Sequence, residues 1–313
     1  MAITSVKVTV AGQEYTLNWD AESQSYKTSV TAPSQSSGSN NSGQGPGIGT
    51  EAQGKGYYPM VFEVRDDAGN VTTVNELTPT LGEKCKLKVL EKTAPSVSIT
   101  SPTNGAYIIN SSIPINFTAS DSGSGIKPDS AMVKIDDGDE QPVTMTGSGV
   151  TYNGTYTPDT PFTDGEHTVE VYCYDYDGNK SNVATTTFTV DTIAPTLDIT
   201  SPADNLITNQ TQIVVSGTTN DVTSSPVTVT IKLNSVDQGA VDVSGGSFTK
   251  TITGVEGENT IEITATDKAG KTTTITRTVT INTTAPEISE IIVEPNPASA
   301  GGGYTISVKI ADQ

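Results

Sequence analysis

Apolar and polar positions alternate along most of this 313-residue chain. In Ile261-Glu-Ile-Thr-Ala-Thr266 the alternation sets Ile261, Ile263 and Ala265 on one face. In Val169-Glu-Val-Tyr-Cys-Tyr174 it sets Val169, Val171 and Cys173 on one face and Tyr172 and Tyr174 on the other. A period of two marks a strand with one side buried. Three such runs repeat one another: Met60-Val-Phe-Glu-Val-Arg-Asp-Asp-Ala-Gly-Asn70, Val169-Glu-Val-Tyr-Cys-Tyr-Asp-Tyr-Asp-Gly-Asn179 and Ile261-Glu-Ile-Thr-Ala-Thr-Asp-Lys-Ala-Gly-Lys271. Each ends in Asp-x-x-Gly-Asn/Lys and leads into a second, Thr-rich run, which predicts a pair of antiparallel strands around a tight turn.

The same patterning predicts strands over 5–10, 15–19, 26–31, 60–64, 71–74 and 84–90 in a first region, and over 96–100, 113–119, 131–135, 151–156, 169–174 and 184–190 in a second. A third region has strands over 213–218, 227–233, 247–252, 261–266 and 274–281, and two more runs, 288–294 and 304–311, close the chain. Thr93-Ala-Pro95, Ile193-Ala-Pro195 and Thr284-Ala-Pro286 punctuate these regions at steps of 195 − 95 = 100 and 286 − 195 = 91 residues. Self-similarity at this spacing predicts an all-β array of tandem two-sheet sandwiches. The expected domains are 1–92, 93–192 and 193–283, with 284–313 a two-strand stub or the start of a fourth. Proline fixes its own φ and holds the preceding alanine extended, so the joints read as stiff and the array as a semi-rigid spacer. Residues 33–56 are almost wholly Ser, Gly, Asn and Gln, a loop that is either a tolerated insertion or a binding loop ordered by a partner.

Composition narrows the function. Hydrophobic content of 33% and aromatic content of 5% suit several thin sandwiches better than one large core. A net charge of −19 disfavours nucleic acid and anionic membrane surfaces as direct partners. No run approaches the ~20 apolar residues of a membrane span. The opening Met1-Ala-Ile-Thr-Ser-Val-Lys-Val reads as a strand and not as a secretion leader, which suggests either a leader removed or assembly inside a cell and exit by another route. Cys85 and Cys173 fall in different repeats, so no repeat holds an internal disulfide; Cys173 reads as a small core residue whose counterparts are Val64 and Ala265. His167, the only histidine, is expected at a strand entry on the surface, and Trp19, the only tryptophan, as a core or edge anchor or a sugar-stacking platform. Tyr172, Tyr174 and Tyr176 read as an outward ladder or a sugar-contacting strip.

With one histidine and no thiolate in a basic setting, zinc sites and Ser/His/Asp or Cys/His nucleophiles lack their parts, so no catalytic or cofactor-binding residue is expected. Paired carboxylates remain formally available, but most acids fall in turns, where Asp is favoured for backbone reasons. Calcium is the one metal to weigh. Oxygen-rich turns occur at Asp66/Asp67, Asp121, Asp136/Asp137/Asp139, Asp175/Asp177 and Asp267, and Asp191 sits at a joint. The tip carrying Asp121, Asp175 and Asp177 is the candidate, without a calcium-loop spacing to support it.

The Ala-Pro joints, the Ile-Thr-Ser-Pro openings at 199–202 and the Gly257-Glu-Asn-Thr-Ile-Glu-Ile-Thr-Ala-Thr-Asp-Lys-Ala-Gly270 closing resemble bacterial immunoglobulin-like domains, closely over 94–283 and loosely over 1–92. The opening eight residues, with Val293-Glu-Pro-Asn-Pro297 and Tyr304-Thr-Ile-Ser-Val308, resemble tail proteins of phages and prophages of Gram-positive bacteria. That resemblance implies a non-enzymatic component of a tail, baseplate or tail-like particle that aids attachment to the bacterial envelope. Its expected partners are other particle proteins and bacterial cell-surface carbohydrate. A stalk fragment of a secreted or wall-attached adhesin, and the binding region of an envelope-degrading enzyme, are the alternatives.

Overall fold

The computed structural model describes residues 2–33, 57–87, 89–90 and 92–311, so the 34–56 part of the Ser/Gly-rich loop lies outside the described residues. Among these, the chain is all-β; the single helical element is the 3-10 turn Gly82–Cys85. Two compact units are formed, Met1–Ala106 with Asn110–Val190, and Tyr107–Ile109 with Asp191–Gln313.

The first unit opens with a sheet in which Gln13–Thr16, Ile3–Val10, Tyr58–Asp66 and Val71–Val74 lie side by side. Val6, Val8 and Val10 turn inward at the predicted period of two. The strand expected over 84–90 is instead the 3-10 turn followed by the two-residue strand Lys86–Leu87. Here the backbone spends its hydrogen bonds locally: Gly82 N donates to Thr78 O at 2.8 Å and Lys84 N to Leu81 O at 2.9 Å. Gly82 allows this because a Cβ there would stand 2.9 Å from the Glu76 carbonyl carbon. Trp19 is not a core anchor. Among the described residues its strand, Asn18–Asp20, pairs only with Ser25–Lys27 in a separate two-stranded ribbon, and Trp19 is 57% exposed, its ring edge-on to Tyr26 at 5.3 Å.

Residues 96–190 form a two-sheet sandwich. One sheet orders Thr146–Ser148, Thr151–Tyr156, Ile115–Ser120 and Ser96–Ser101; the other includes Gln141–Val143, Ala131–Ile135, Gly165–Tyr172 and Ala184–Val190 in that order. Ile115, Phe117 and Ala119 from the first sheet and Val133, Val169, Val171, Phe188 and Val190 from the second fill the core. Each of these side chains larger than alanine contributes about 1.5–3 kcal/mol on burial. Phe117 stands directly opposite Gly154 on the neighbouring strand, and its ring lies over the glycine.

The second unit repeats the plan. Thr196–Ser201, Gln212–Asn220, Ser247–Thr253 and Val243–Ser244 form one sheet. Leu206–Thr208, Thr272–Ile281, Gly257–Thr266, Thr228–Leu233 and Val236–Asp237 form the other, with Leu206–Thr208 running parallel to Thr272–Ile281. Ile261, Ile263 and Ala265 are all fully buried, on the face that alternation assigned them. Here Gly217 pairs with Phe248, so glycine and phenylalanine have traded strands relative to Phe117 and Gly154. Among the described residues Glu287–Glu294 and Thr305–Ala311 pair only with each other.

Candidate metal centre

The repeated Asp-x-x-Gly turn has the same backbone in all three copies. The aspartate amide donates to the carbonyl four residues on, at 3.1 Å for Asp66, 3.2 Å for Asp175 and 3.1 Å for Asp267. The glycine amide returns to the aspartate carbonyl, and Gly69, Gly178 and Gly270 hold φ of 86°, 90° and 89°, a region that favours glycine. The fifth residue distinguishes the copies. Asn70 donates its amide (2.8 Å) to Asp66 Oδ1 and its side chain (2.8 Å) to Oδ2. These Asn70 bonds hold the Asp66 carboxyl below the usual range. Asn179 does the same for Asp175, with both bonds at 2.7 Å. In the third copy the residue is Lys271, whose amide still reaches Asp267 Oδ1 at 2.8 Å. Its side chain offers no equivalent donor, and Asp267 Oδ2 is buried without a hydrogen-bond partner.

Two more carboxylates meet Asp267. Asp221 begins the turn Asp221-Val-Thr-Ser224, and its Oδ1 accepts from the amides of Thr223 (2.8 Å) and Ser224 (2.7 Å). Its Oδ2 accepts from no described residue. Asp191, the first residue of the second unit's main segment, accepts from Ile193 N at 3.1 Å on Oδ1 and from the Ser224 hydroxyl on Oδ2. One oxygen from each of the three lies within 4.8 Å of the others, and the residues are 0%, 7% and 6% exposed for Asp191, Asp221 and Asp267. Two carboxylates 4.8 Å apart repel by about 3.5 kcal/mol at an effective dielectric constant of about 20. Among the described residues no lysine or arginine forms an ion pair with any of them.

Asp191 and Asp267 were among the oxygen-rich positions of the sequence, whereas the tip acids Asp121, Asp175 and Asp177 are used otherwise. Asp121 Oδ2 accepts from Gly123 N at 3.1 Å and Gly125 N at 2.6 Å, closing its own turn. Asp175 has both oxygens engaged by Asn179, and the Asp177 backbone amide donates to Ser124 Oγ at 3.3 Å. Among the described residues the converging group of three is Asp191, Asp221 and Asp267, and these three tip residues do not form one. Asp221 carried no signal of its own. The signal for Asp267 was the Lys271 that replaces the asparagine of the other two repeats.

His167 is buried, against the surface position expected for it. It lies between Phe162 and Phe188, with Nδ1 2.8 Å from Asp136 Oδ2 and Nε2 2.8 Å from Thr163 O. The third sandwich builds the same network from amides. Asn259 Nδ2 donates to Val255 O at 2.7 Å, and Asn234 Nδ2 to Asn259 Oδ1 at 3.3 Å. Asp136 and Asn234 also match, each accepting through Oδ1 at 2.8 Å from a backbone amide of the neighbouring strand, Thr168 and Thr260, and each at φ 50°. The histidine therefore ties a turn to a strand. Cys173 is fully buried, and burial pushes its thiol up to about 11. Tyr172 lies edge-on to Tyr174 at 6.0 Å, donates to Glu140 at 2.7 Å and receives the Lys180 ammonium over its ring at 3.5 Å, so it holds strands together from outside.

Three family models match in succession. Residues 2–80 match a bacterial Ig-like domain, 95–171 a bacterial Ig domain, and 195–283 domain B of glucodextranase. The chain carries tandem bacterial immunoglobulin-like domains. Halomucin of Haloquadratum walsbyi is 28% identical over 146 residues, which is 44% of this chain and 2% of that protein. The fibronectin(III)-like modules of Clostridium thermocellum CbhA superpose with a TM-score of 0.36 at 21% identity, covering 59% of this chain and 94% of theirs. A tetra-tandem repeat from the extending region of a large adhesion protein covers 98% of this chain and 79% of its own, with a TM-score of 0.32 and 18% identity. Among the described residues no helix is long and apolar enough to cross a membrane.

Proposed function

We propose that this chain is a non-enzymatic spacer of tandem immunoglobulin-like domains, displayed on a phage tail, baseplate or tail-like particle and aiding attachment to the bacterial envelope. One observation carries the non-enzymatic part: the residues most suited to chemistry stand where a neighbouring repeat manages without them. His167 occupies the place of Asn259, and Cys173 that of Ala265. Short prolyl joints suit a spacer, because they leave little slack between sandwiches. The particle assignment rests on the resemblance of both chain ends to tail proteins. Envelope carbohydrate is the expected ligand class, and the exposed Trp19–Tyr26 pair offers an aromatic face of the kind that stacks on sugars.

Fractionation of particles with antibody detection tests the assignment. The protein is expected to co-purify with tails, and its absence from purified particles defeats the reading. Hydrolysis of cell-wall material by the purified chain would overturn the non-enzymatic part. The second reading is a stalk segment of a secreted or wall-attached adhesin, favoured by the match to 2% of Halomucin, since a short stretch of a very long protein is what a repeated stalk unit would provide. The match of 195–283 to glucodextranase domain B keeps the binding region of a carbohydrate- or envelope-degrading enzyme as a third.

A further inference from the structure

We propose that Asp191, Asp221 and Asp267 form a binding site for a hard divalent cation, calcium, within the second unit. Three observations meet here. Oxygens from three carboxylates converge within 4.8 Å, about twice a calcium–oxygen bond of ~2.4 Å, so one ion can touch all three. The trio is buried and has no basic partner among the described residues, so its charge lacks a protein counter-ion. Finally, Asp267 Oδ2 is buried and accepts no hydrogen bond. A buried carboxylate oxygen left without a donor is a cost the fold does not tolerate without compensation, and a metal ion supplies it.

The repeats serve as internal controls. Where the fifth turn residue is asparagine, as at Asn70 and Asn179, its side chain takes the second carboxylate oxygen of Asp66 or Asp175. Lys271 withholds that bond and leaves Asp267 Oδ2 free for another ligand. Around it, Asp221 Oδ1 is fixed by two turn amides, and Asp191 by Ile193 N and the Ser224 hydroxyl, so the carboxylates are oriented by the backbone. Donors of oxygen only, with no histidine or cysteine, select calcium or magnesium over zinc and copper. Three direct carboxylates favour calcium, because magnesium retains most of its waters. Water completes the six to eight oxygens that calcium requires. Loading would fasten Asp191 to the 221–224 turn and to the Asp267 corner, three points remote in sequence.

Calorimetric titration and thermal melting of the full chain in calcium chloride, magnesium chloride or chelator test this. One calcium per chain is expected. The melting transition of the 196–281 sandwich should rise by about 11–22 °C when calcium is about 100 times its Kd. Asp267→Asn should abolish the shift. Lys271→Asn should weaken calcium binding at least tenfold while leaving the chelated protein as stable or more so, because the new side chain can donate to Oδ2 as Asn179 does. This second variant keeps the test decisive if Asp267→Asn fails to fold. Equal melting in calcium and chelator, or a calcium response that survives Lys271→Asn unchanged, overturns the proposal.

Discussion

Gly154 is where a single methyl group should do most damage. A Cβ at this position would lie 2.6 Å or less from three ring atoms of Phe117, where carbon–carbon contacts normally begin at about 3.5 Å. The nearest ring atom must then retreat by about 1.4 Å. It is 1% exposed and the opposite sheet lies behind it, so the retreat has to displace packed side chains. Overpacking of this kind costs about 1–3 kcal/mol, and the lack of free space puts Gly154→Ala at the upper end, about 3 kcal/mol. For a sandwich of this size that is a fall in Tm of about 12–24 °C. Cys173 supplies a local readout. It is fully buried in the same sandwich, so mass-spectrometric thiol labelling of its peptide against temperature follows that sandwich alone. The transposed variant Phe117→Gly/Gly154→Phe copies the arrangement of Gly217 and Phe248 and should recover most of the loss seen in either single change. A shift below about 3 °C in Gly154→Ala, or a transposed variant as unstable as the two single changes summed, would refute the packing argument.

Other outcomes follow from the remaining contacts. The Tyr172 hydroxyl donates to Glu140, which pushes its pKa up to about 12, so one of 11 tyrosines should ionise late in an ultraviolet titration. Its stabilising effect is complete below pH ~10, the unfolded value, and is lost as pH rises towards 12; Glu140→Gln should return the titration towards ~10. Cys173 should resist thiol reagents in the native state, and Cys173→Ala should cost only about 1 kcal/mol, because Ala265 fills the same place in the third sandwich. His167→Ala removes bonds to Asp136 and Thr163 and should cost about 3 kcal/mol, whereas Asp136→Asn/His167→Asn, the pairing found at Asn234 and Asn259, should cost less than half of that in calorimetry. Asp66 is held below its usual pKa by Asn70, so it stabilises above the unfolded value near 4 and loses this as pH falls further; Asn70→Ala should narrow acid stability in a pH-melting series.

Alternation was enough to place the cores. Ile261, Ile263 and Ala265 are buried because a strand's side chains switch sides at every residue, whatever the register of its partners. The same parity carried two residues back from Val169 reaches His167, so its burial was legible, and the histidine looked superficial only because a turn precedes it. For Trp19 only the core alternative failed: its own residues do not say that, among the described residues, its ribbon stands apart from the larger sheets. The carboxylate trio depends on where three turns end up after the sheets have folded, with 30 and 46 residues between its members (221 − 191 and 267 − 221). Asp267 and Asp191 stood among the oxygen-rich positions of the sequence, but nothing local joined them to each other or to Asp221.

The traded glycine and phenylalanine also bear on how a chain of similar neighbours sorts itself during folding. Were strand 115–120 to pair with 247–253 of the next repeat in the native register, Phe117 would meet Phe248 where there is room for one ring. The reciprocal error, 212–220 with 151–156, would set Gly217 against Gly154 and leave a hole. Each sandwich thus rejects its neighbour's strand by shape, a safeguard against cross-repeat misassembly that costs the correctly folded chain nothing.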